Sequence, residues 1–266
     1  MIIIGERLNT SRNAVLEAVK ARDEKYLQDD AKKQVEAGAS FVDVNAGLML
    51  EKEAEALEWM VEVVQNAVDV TLAIDSSSTK AIERALKVHR GQAMVNSISL
   101  EAERYDSLIP LLAEHNCLVV GLCLDDRGIP ESAKERLELA RVLVDRLVKD
   151  KVEVGNIFLD PLATSLATDP NAARVTIETV EGIKNSFEGV RTTLGLSNVS
   201  YGLPCRRLFN RTFLSMLMTM GLDAPILDPL DKNMMGVLLA ADALTGQDEF
   251  CMRFISATRS GMIEKE

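Results

Sequence analysis

Eight short apolar runs, each followed by a longer stretch of helical periodicity, constrain this chain more than any other feature. The runs are residues 2–5, 41–44, 71–74, 93–95, 118–122, 157–159, 193–196 and 225–227. They are too short for helices, and several are rich in β-branched residues, as buried parallel strands are. The stretches between them behave differently. In 24–37, Leu27, Ala31 and Val35 fall four residues apart, and Gly38 follows where a left-handed C-terminal cap belongs. In 131–149, Leu137, Ala140, Val144 and Leu147 form one stripe. Residues 207–220 are apolar nearly all round, so Met216, Met218 and Met220 are expected in a packed helix rather than a methionine ligand box.

Alternating strands and helices imply βα units around a parallel sheet. Eight units in 266 residues suit a closed (β/α)8 barrel, the TIM barrel. The rival is an open doubly wound sheet, which carries a glycine-rich turn after its first strand. Here that position reads Gly5-Glu6-Arg7-Leu8-Asn9, without the G-x-G-x-x-G pattern. No linker or low-complexity tract divides the chain, and Asp29-Asp30 and Lys32-Lys33 are expected on the solvated face of a helix. The expectation is one α/β domain, residues 1–266.

Composition narrows the function. Hydrophobic residues make up 47% and charged residues 27%, enough for a sizeable core in a soluble chain. A net charge of -11 argues against a broad nucleic-acid interface. The apolar N-terminal run is too short for a signal peptide, and no stretch reaches the length of a membrane span, so the cytoplasm is the expected location. Cys117, Cys123, Cys205 and Cys251 form no C-x-x-C pair, and the two histidines, His89 and His115, are too few for a His-rich zinc site.

Polar residues gather where the apolar runs end. Glu6, Arg7 and Asn9 follow the first run; Asp43 and Asn45 close the second. Asp75-Ser76, Asn96-Ser97, Asp160-Pro161, Ser197-Asn198 and Asp228 close the third, fourth, sixth, seventh and eighth. In a (β/α)8 barrel these ends open on one face, where active sites lie. Any one of them is equally a helix N-cap. Five or more abutting apolar runs exceed what capping requires. Short carboxylates and planar amides together match a flat heterocycle with amino and ring N–H groups along one edge, as in a pterin.

Other chemistries are poorly served. There is no G-x-S-x-G, and neither histidine lies at a strand end to act as a triad base. A carboxylate-pair hydrolase built on Asp75 and Asp160 would want aromatic sugar platforms, and the one tryptophan, Trp59, sits in a helical segment. Lys80 and Lys184 are the candidates for Schiff-base chemistry, but both fall in helical stretches.

The same strand ends carry a family resemblance. Ile3 through Asn9, Asp43-Val44-Asn45 with Gly47, Ile74-Asp75-Ser76, Val95-Asn96-Ser97 and Leu159-Asp160-Pro161-Leu162 resemble the pterin-binding methyltransferase family in motif and order. The most specific piece is Gly195-Leu196-Ser197-Asn198-Val199-Ser200-Tyr201-Gly202-Leu203-Pro204 with Arg206-Arg207 and Asn210-Arg211-Thr212. It resembles the folate domain of cobalamin-dependent methionine synthases and the free-standing methyltetrahydrofolate:corrinoid protein methyltransferases.

That resemblance implies a dimeric barrel, with tetrahydrofolate or 5-methyltetrahydrofolate as the ligand in its mouth. Asp75, Asn96 and Asp160 would hold the pterin edge, with Glu6 and Asp43 nearby. Asn198 would lie by N5 as the catalytic amide, Asp75 and Asp160 assisting. Gly195 and Ser197 would shape that wall, and Arg206 or Arg207 would meet the benzoyl-glutamate tail or a partner. The methyl is bound to a tertiary amine, a poor leaving group, so a hydrogen bond to N5 that strengthens in the transition state accelerates transfer. The other reactant is a corrinoid, and the D-x-H-x-x-G pattern of corrinoid-binding domains is absent around His89 and His115. A separate corrinoid protein is therefore the expected partner, with the direction of transfer open. A dihydropteroate-synthase-like enzyme is disfavoured because Ser197-Asn198-Val199 replaces its Ser-Arg-Lys motif. A non-catalytic folate-binding module is the remaining alternative.

Overall fold

The computed structural model describes residues 1–263; the last three residues of the expected 1–266 domain lie outside the described residues. Eight parallel strands close into a barrel in chain order: β1 (Ile4–Asn9), β2 (Phe41–Asn45), β3 (Thr71–Asp75), β4 (Met94–Ile98), β5 (Leu118–Leu122), β6 (Ile157–Asp160), β7 (Arg191–Gly195) and β8 (Ala224–Leu227), which returns to β1. The expected (β/α)8 barrel is thus the fold.

Helices α1 (Asn13–Ala21) and α2 (Glu24–Glu36) both lie between β1 and β2. Then follow α3 (Glu53–Gln65), α4 (Thr79–Val88), α5 (Ala102–His115), α6 (Ala133–Lys149), α7 (Ala172–Ser186), α8 (Arg206–Thr219), α9 (Lys232–Leu244) and α10 (Met252–Ser260). Eight helical segments were expected; the described residues hold ten helices, because the first connection is split and a last helix follows α9. None is long and apolar enough to cross a membrane.

Strand side chains alternate between two cores, as a period of two requires. The outward set, including Val42, Val44, Leu72, Ile74, Val95, Val119 and Leu159, packs under the helices. The inward set, Ile4, Ala73, Met94, Leu118, Val120, Phe158 and Ala224 with Phe41 against it, fills the barrel as an apolar plug.

Three local expectations are corrected. Strand β1 does not end at Gly5: Glu6 and Arg7 belong to it, and it continues to Asn9, slipping register against β2 between Gly5 and Leu8. Asp30 is not on a solvated face: it is buried on α2 and clamped by Arg7 at 2.9 Å. Arg7 also donates to Asp228 at 3.0 Å. Helix α8 is not packed all round either, since Phe213, Leu214, Leu217 and Met218 are buried while Leu208, Phe209 and Met216 are exposed. Gly38 has the left-handed backbone expected of a cap, with φ of 103°. Gly5 has a different reason to be glycine: a methyl there would run into the side chain of buried Gln34, which donates to Asp30 and accepts from Arg7 N.

Candidate active site

The inward parity that builds the plug also builds the site. Two residues beyond Ile4, Phe41, Ala73, Met94 and Phe158 come Glu6, Asp43, Asp75, Asn96 and Asp160, so these polar groups point inward at the C-terminal end. Asn45, Asp75 and Asn96 are register partners across β2, β3 and β4, and Asp160 pairs with Leu122 of β5. The result is an acidic floor laid on an apolar plug.

Hydrogen bonds knit this floor. Asn96 Nδ2 donates to Asp43 Oδ1 at 3.3 Å, and Asn45 Nδ2 to Asp75 Oδ2 at 2.9 Å. Leu162 N donates to Asp160 Oδ1 at 2.7 Å. Burial under the mouth disfavours the charged forms. It pushes Asp160 up to about 7, against the Leu162 N–H and the Arg136 charge. It pushes Glu6 up to about 7 as well, against Arg12 and with the help of Asp228. Asp43 is driven well above the carboxylate range by burial and then by the Asp75 charge, and Asp75 is raised by burial against the hydrogen bond from Asn45. Four carboxyls therefore share fewer than four negative charges near neutrality.

The wall above comes from β7. After Gly195 the chain enters a tight 3-10 turn, Leu196–Ser200, which buries Leu196 and Val199 and leaves the Asn198 side chain exposed at the mouth. A methyl on Gly195 would lie 3.5 Å from Asn198 Nδ2, so the amide folds back over the glycine. Arg206, the first residue of α8, fastens this turn: Nη2 donates to Ser197 O at 2.7 Å and Nε to Ser200 Oγ at 3.1 Å. Asn210 Nδ2 reaches Ser197 Oγ at 3.4 Å, and Asn210 Oδ1 has no partner among the described residues.

Strand-end reasoning found Asn45 and Asp228 without giving them a site role, and it did not find Arg12, Arg104 or Arg136. Arg104 of α5 donates to the carbonyls of Ser76, Ser77 and Ser97, holding the ends of β3 and β4. That connection includes the cis peptide Asn96–Ser97. Buried Arg136 of α6 donates to Pro130 O at 2.9 Å and Pro161 O at 2.8 Å, holding the loop after Asp160. Both arginines look like ordinary helix-surface residues in sequence. Their role becomes visible only once the carbonyls they meet are placed. Asn45 had a signal, its place at the end of an apolar run. Asp228 takes Arg12 at 3.1 Å as well as Arg7.

Two cavities open on this face. One, of about 680 Å³, lies over β3 and β4 and is lined by Asp75, Asn96, Leu122, Glu101, Glu103 and Arg104 among others. The other, of about 620 Å³, lies over β1, the β7 turn and β8, with Glu6, Arg12, Ser197, Arg207, Asn210 and Lys232 on its walls. The alternative chemistries find no footing here. Lys184 is paired with Asp223 at 2.9 Å, Lys80 is exposed on α4, and His89 and His115 sit at helix C-termini. Cys117 and Cys123 are buried thiols pushed up by desolvation, Cys117 to about 12.

Comparison with known proteins places the chain among relatives. Residues 5–227 match the model of a family described as pterin binding enzyme. The chain is 36% identical over 265 residues to a methylcorrinoid:tetrahydrofolate methyltransferase of Eubacterium limosum, covering 99% of this chain and 98% of that protein. It is 28% identical over 239 residues to the methionine synthase of Mycobacterium tuberculosis, 85% of this chain but 20% of that longer protein. Among solved structures, a dihydropteroate synthase of Yersinia pestis superposes with a TM-score of 0.67 at 15% identity, covering 92% of this chain and 94% of that one, a likeness of fold.

Proposed function

From a chain that belongs to the family of pterin binding enzymes, we propose a methyltransferase that moves a methyl group from the cobalt of a corrinoid to N5 of tetrahydrofolate. The full-length likeness to a methylcorrinoid:tetrahydrofolate methyltransferase supports both the reaction and this direction. The observation that carries the reading is the exposed Asn198 amide standing over Gly195, above the acidic floor.

Asp75, Asn96 and Asp160 receive the pterin edge, its N–H groups donating to the carboxylates, with Asp43, Glu6 and Asn45 completing the floor. Asn198 lies beside N5, where Gly195 and Ser197 leave room for the reduced ring. The N5 lone pair attacks the methyl carbon. The cobalt–carbon electron pair stays on cobalt, which leaves as Co(I), and the N5 proton passes to water held by the floor. Either direction crosses the same transition state, and the Asn198 amide hydrogen-bonds N5 as its charge changes. Arg206 acts through the turn it fastens. The corrinoid belongs to a separate protein seated over the mouth. The chain is one domain, works in the cytoplasm and pairs with a second copy.

The test is transfer from a methylated corrinoid protein, or from methylcobalamin, to tetrahydrofolate, followed in the cobalt absorption bands. Demethylation that requires folate and yields 5-methyltetrahydrofolate is expected. Tight folate binding without transfer to or from any corrinoid would leave only the binding module.

A further inference from the structure

Arg136 is the one buried arginine among the described residues, 2% exposed on α6, and its guanidinium serves carbonyls rather than a carboxylate. Nε donates to Pro130 O at 2.9 Å, and Nη1 to Pro161 O at 2.8 Å and to Leu162 O at 2.5 Å. Burying a charge without a counter-charge is unfavourable. The fold tolerates it where β6 ends, since Pro161 and Leu162 are the two residues after Asp160.

Leu162 has a left-handed backbone, with φ of 65°, a conformation that its side chain resists. In that conformation its N–H points back to Asp160 Oδ1 at 2.7 Å. Two donors hold Leu162 O, Arg136 from α6 and Thr176 Oγ1 from α7 at 3.3 Å. Among the described residues the Leu162 N–H is the one hydrogen bond to the Asp160 side chain, and it leaves Oδ2 for a ligand. Arg136 and the Cys123 thiol, itself kept neutral by burial, face Asp160 from α6 and from the end of β5. Asp169 faces Arg136, and Glu6, Asp43 and Asp75 are the other carboxyls of the floor. Burial raises the Asp160 carboxyl to about 7, opposed first by the Leu162 N–H and then by the Arg136 charge. Both opposing influences run through one side chain, because Arg136 supplies the charge and holds the residue that supplies the N–H.

We infer that Arg136 is the positioning residue for Asp160: its grip on the Pro161 and Leu162 carbonyls keeps the Leu162 N–H on Oδ1, and so keeps Asp160 able to act as an acceptor near neutrality. The ligand of Asp160 rests on the function proposed above. The ionisation of Asp160 does not, and can be read with no ligand present.

Arg136→Lys keeps the charge and removes the planar fork that gathers several carbonyls. Infrared difference spectra, each protein against its own Asp160→Asn counterpart, read the Asp160 carboxyl directly. A midpoint of about 7 is expected in the wild type. In Arg136→Lys it is expected about one pH unit higher, the effect of loosening one hydrogen bond to a charged group. Affinity for 5-methyltetrahydrofolate, measured by titration calorimetry, is then expected to fall roughly fivefold at about pH 7 and to return to the wild-type value at about pH 9, where the carboxyl is ionised in both proteins. A clamp that served stability alone would lower the melting temperature and leave the midpoint in place. An unmoved midpoint, or an affinity lowered by the same factor at every pH, would overturn the inference. If Arg136→Lys does not fold, the isotope-labelled wild type decides. The Leu162 amide and Arg136 Nε–H signals are expected to move together as Asp160 titrates and to stay still in Asp160→Asn; an Arg136 signal indifferent to that titration would overturn the inference. No affinity for the folate at any pH would overturn the proposed function instead, with the infrared midpoint still deciding the role of Arg136.

Discussion

In the proposed reaction Asn198 and Asp160 face the same ligand with opposite electrostatic tasks. The amide is exposed and uncharged, so its replacement disturbs little besides N5. Asn198→Ala is expected to lower kcat by roughly 30- to 1000-fold, the effect of one well-placed transition-state hydrogen bond, with folate affinity nearly kept. Rapid-mixing kinetics of cobalt demethylation checks this; an unchanged rate removes the amide from the chemistry. Asp160 must be ionised to accept the pterin N–H groups, yet burial holds it at about 7. Folate affinity is therefore expected to fall as pH drops below about 7, by up to about tenfold per pH unit for one proton. Asp160→Asn should flatten that slope. The same shift acts on stability with a definite sign. Folded Glu6 and Asp160 retain protons that the unfolded chain has released, so stability is greatest in acid with respect to these groups. It declines as pH rises from the ordinary carboxylate range to about 7. A melting temperature less sensitive to pH across that window in the Asp160→Asn variant is the expected readout.

Among the elements, β1 and α2 show where sequence reading succeeds and where it stops. Leu27 and Ala31 mark the buried side of α2 by their spacing alone. Asp30 gives no such sign, because its partner Arg7 lies 23 positions away and in a strand whose apolar run had already ended. Hydrophobic patterning follows the plug and goes silent where polar residues take over the inward face, which is also where the ligand floor begins. Parity then extends the strand: Glu6 points inward because Ile4 does. Asp43, Asp75, Asn96 and Asp160 were legible this way, since each closes an apolar run. Arg104, Arg136 and Arg206 were not legible as supports, because a guanidinium that ties backbone carbonyls of a loop leaves no pattern in the sequence. Removing the Arg7 side chain tests the β1–α2 clamp. Arg7→Ala strands a carboxyl with 8% side-chain exposure and is expected to cost about 2–4 kcal/mol in urea denaturation. A loss below about 0.5 kcal/mol, the range of exposed pairs, would show that Asp30 finds water or Gln34 sufficient.

At the scale of the whole molecule, the end of the chain carries apolar surface that the barrel does not use. Leu244, Phe250 and Met252 are 87%, 83% and 61% exposed. Self-association through α9 and α10 would cover them. Phe250→Glu with Met252→Glu is expected to halve the mass seen by light scattering, whereas an unchanged mass places the contact elsewhere or shows a monomer. The apolar plug has its own consequence for the order of events. Ile4, Met94, Val120 and Phe158 fill the barrel below the floor, so the floor opens toward the C-terminal face, the doorway on which both cavities lie. A ligand seated on the floor is sealed in whenever a second protein stands over that doorway. Folate must then be the first to arrive and the last to depart, and the two substrates cannot take turns. Initial-rate plots should intersect rather than run parallel, 5-methyltetrahydrofolate should compete with tetrahydrofolate but not with the corrinoid protein, and an excess of the corrinoid protein should slow turnover by trapping the product in the room it guards.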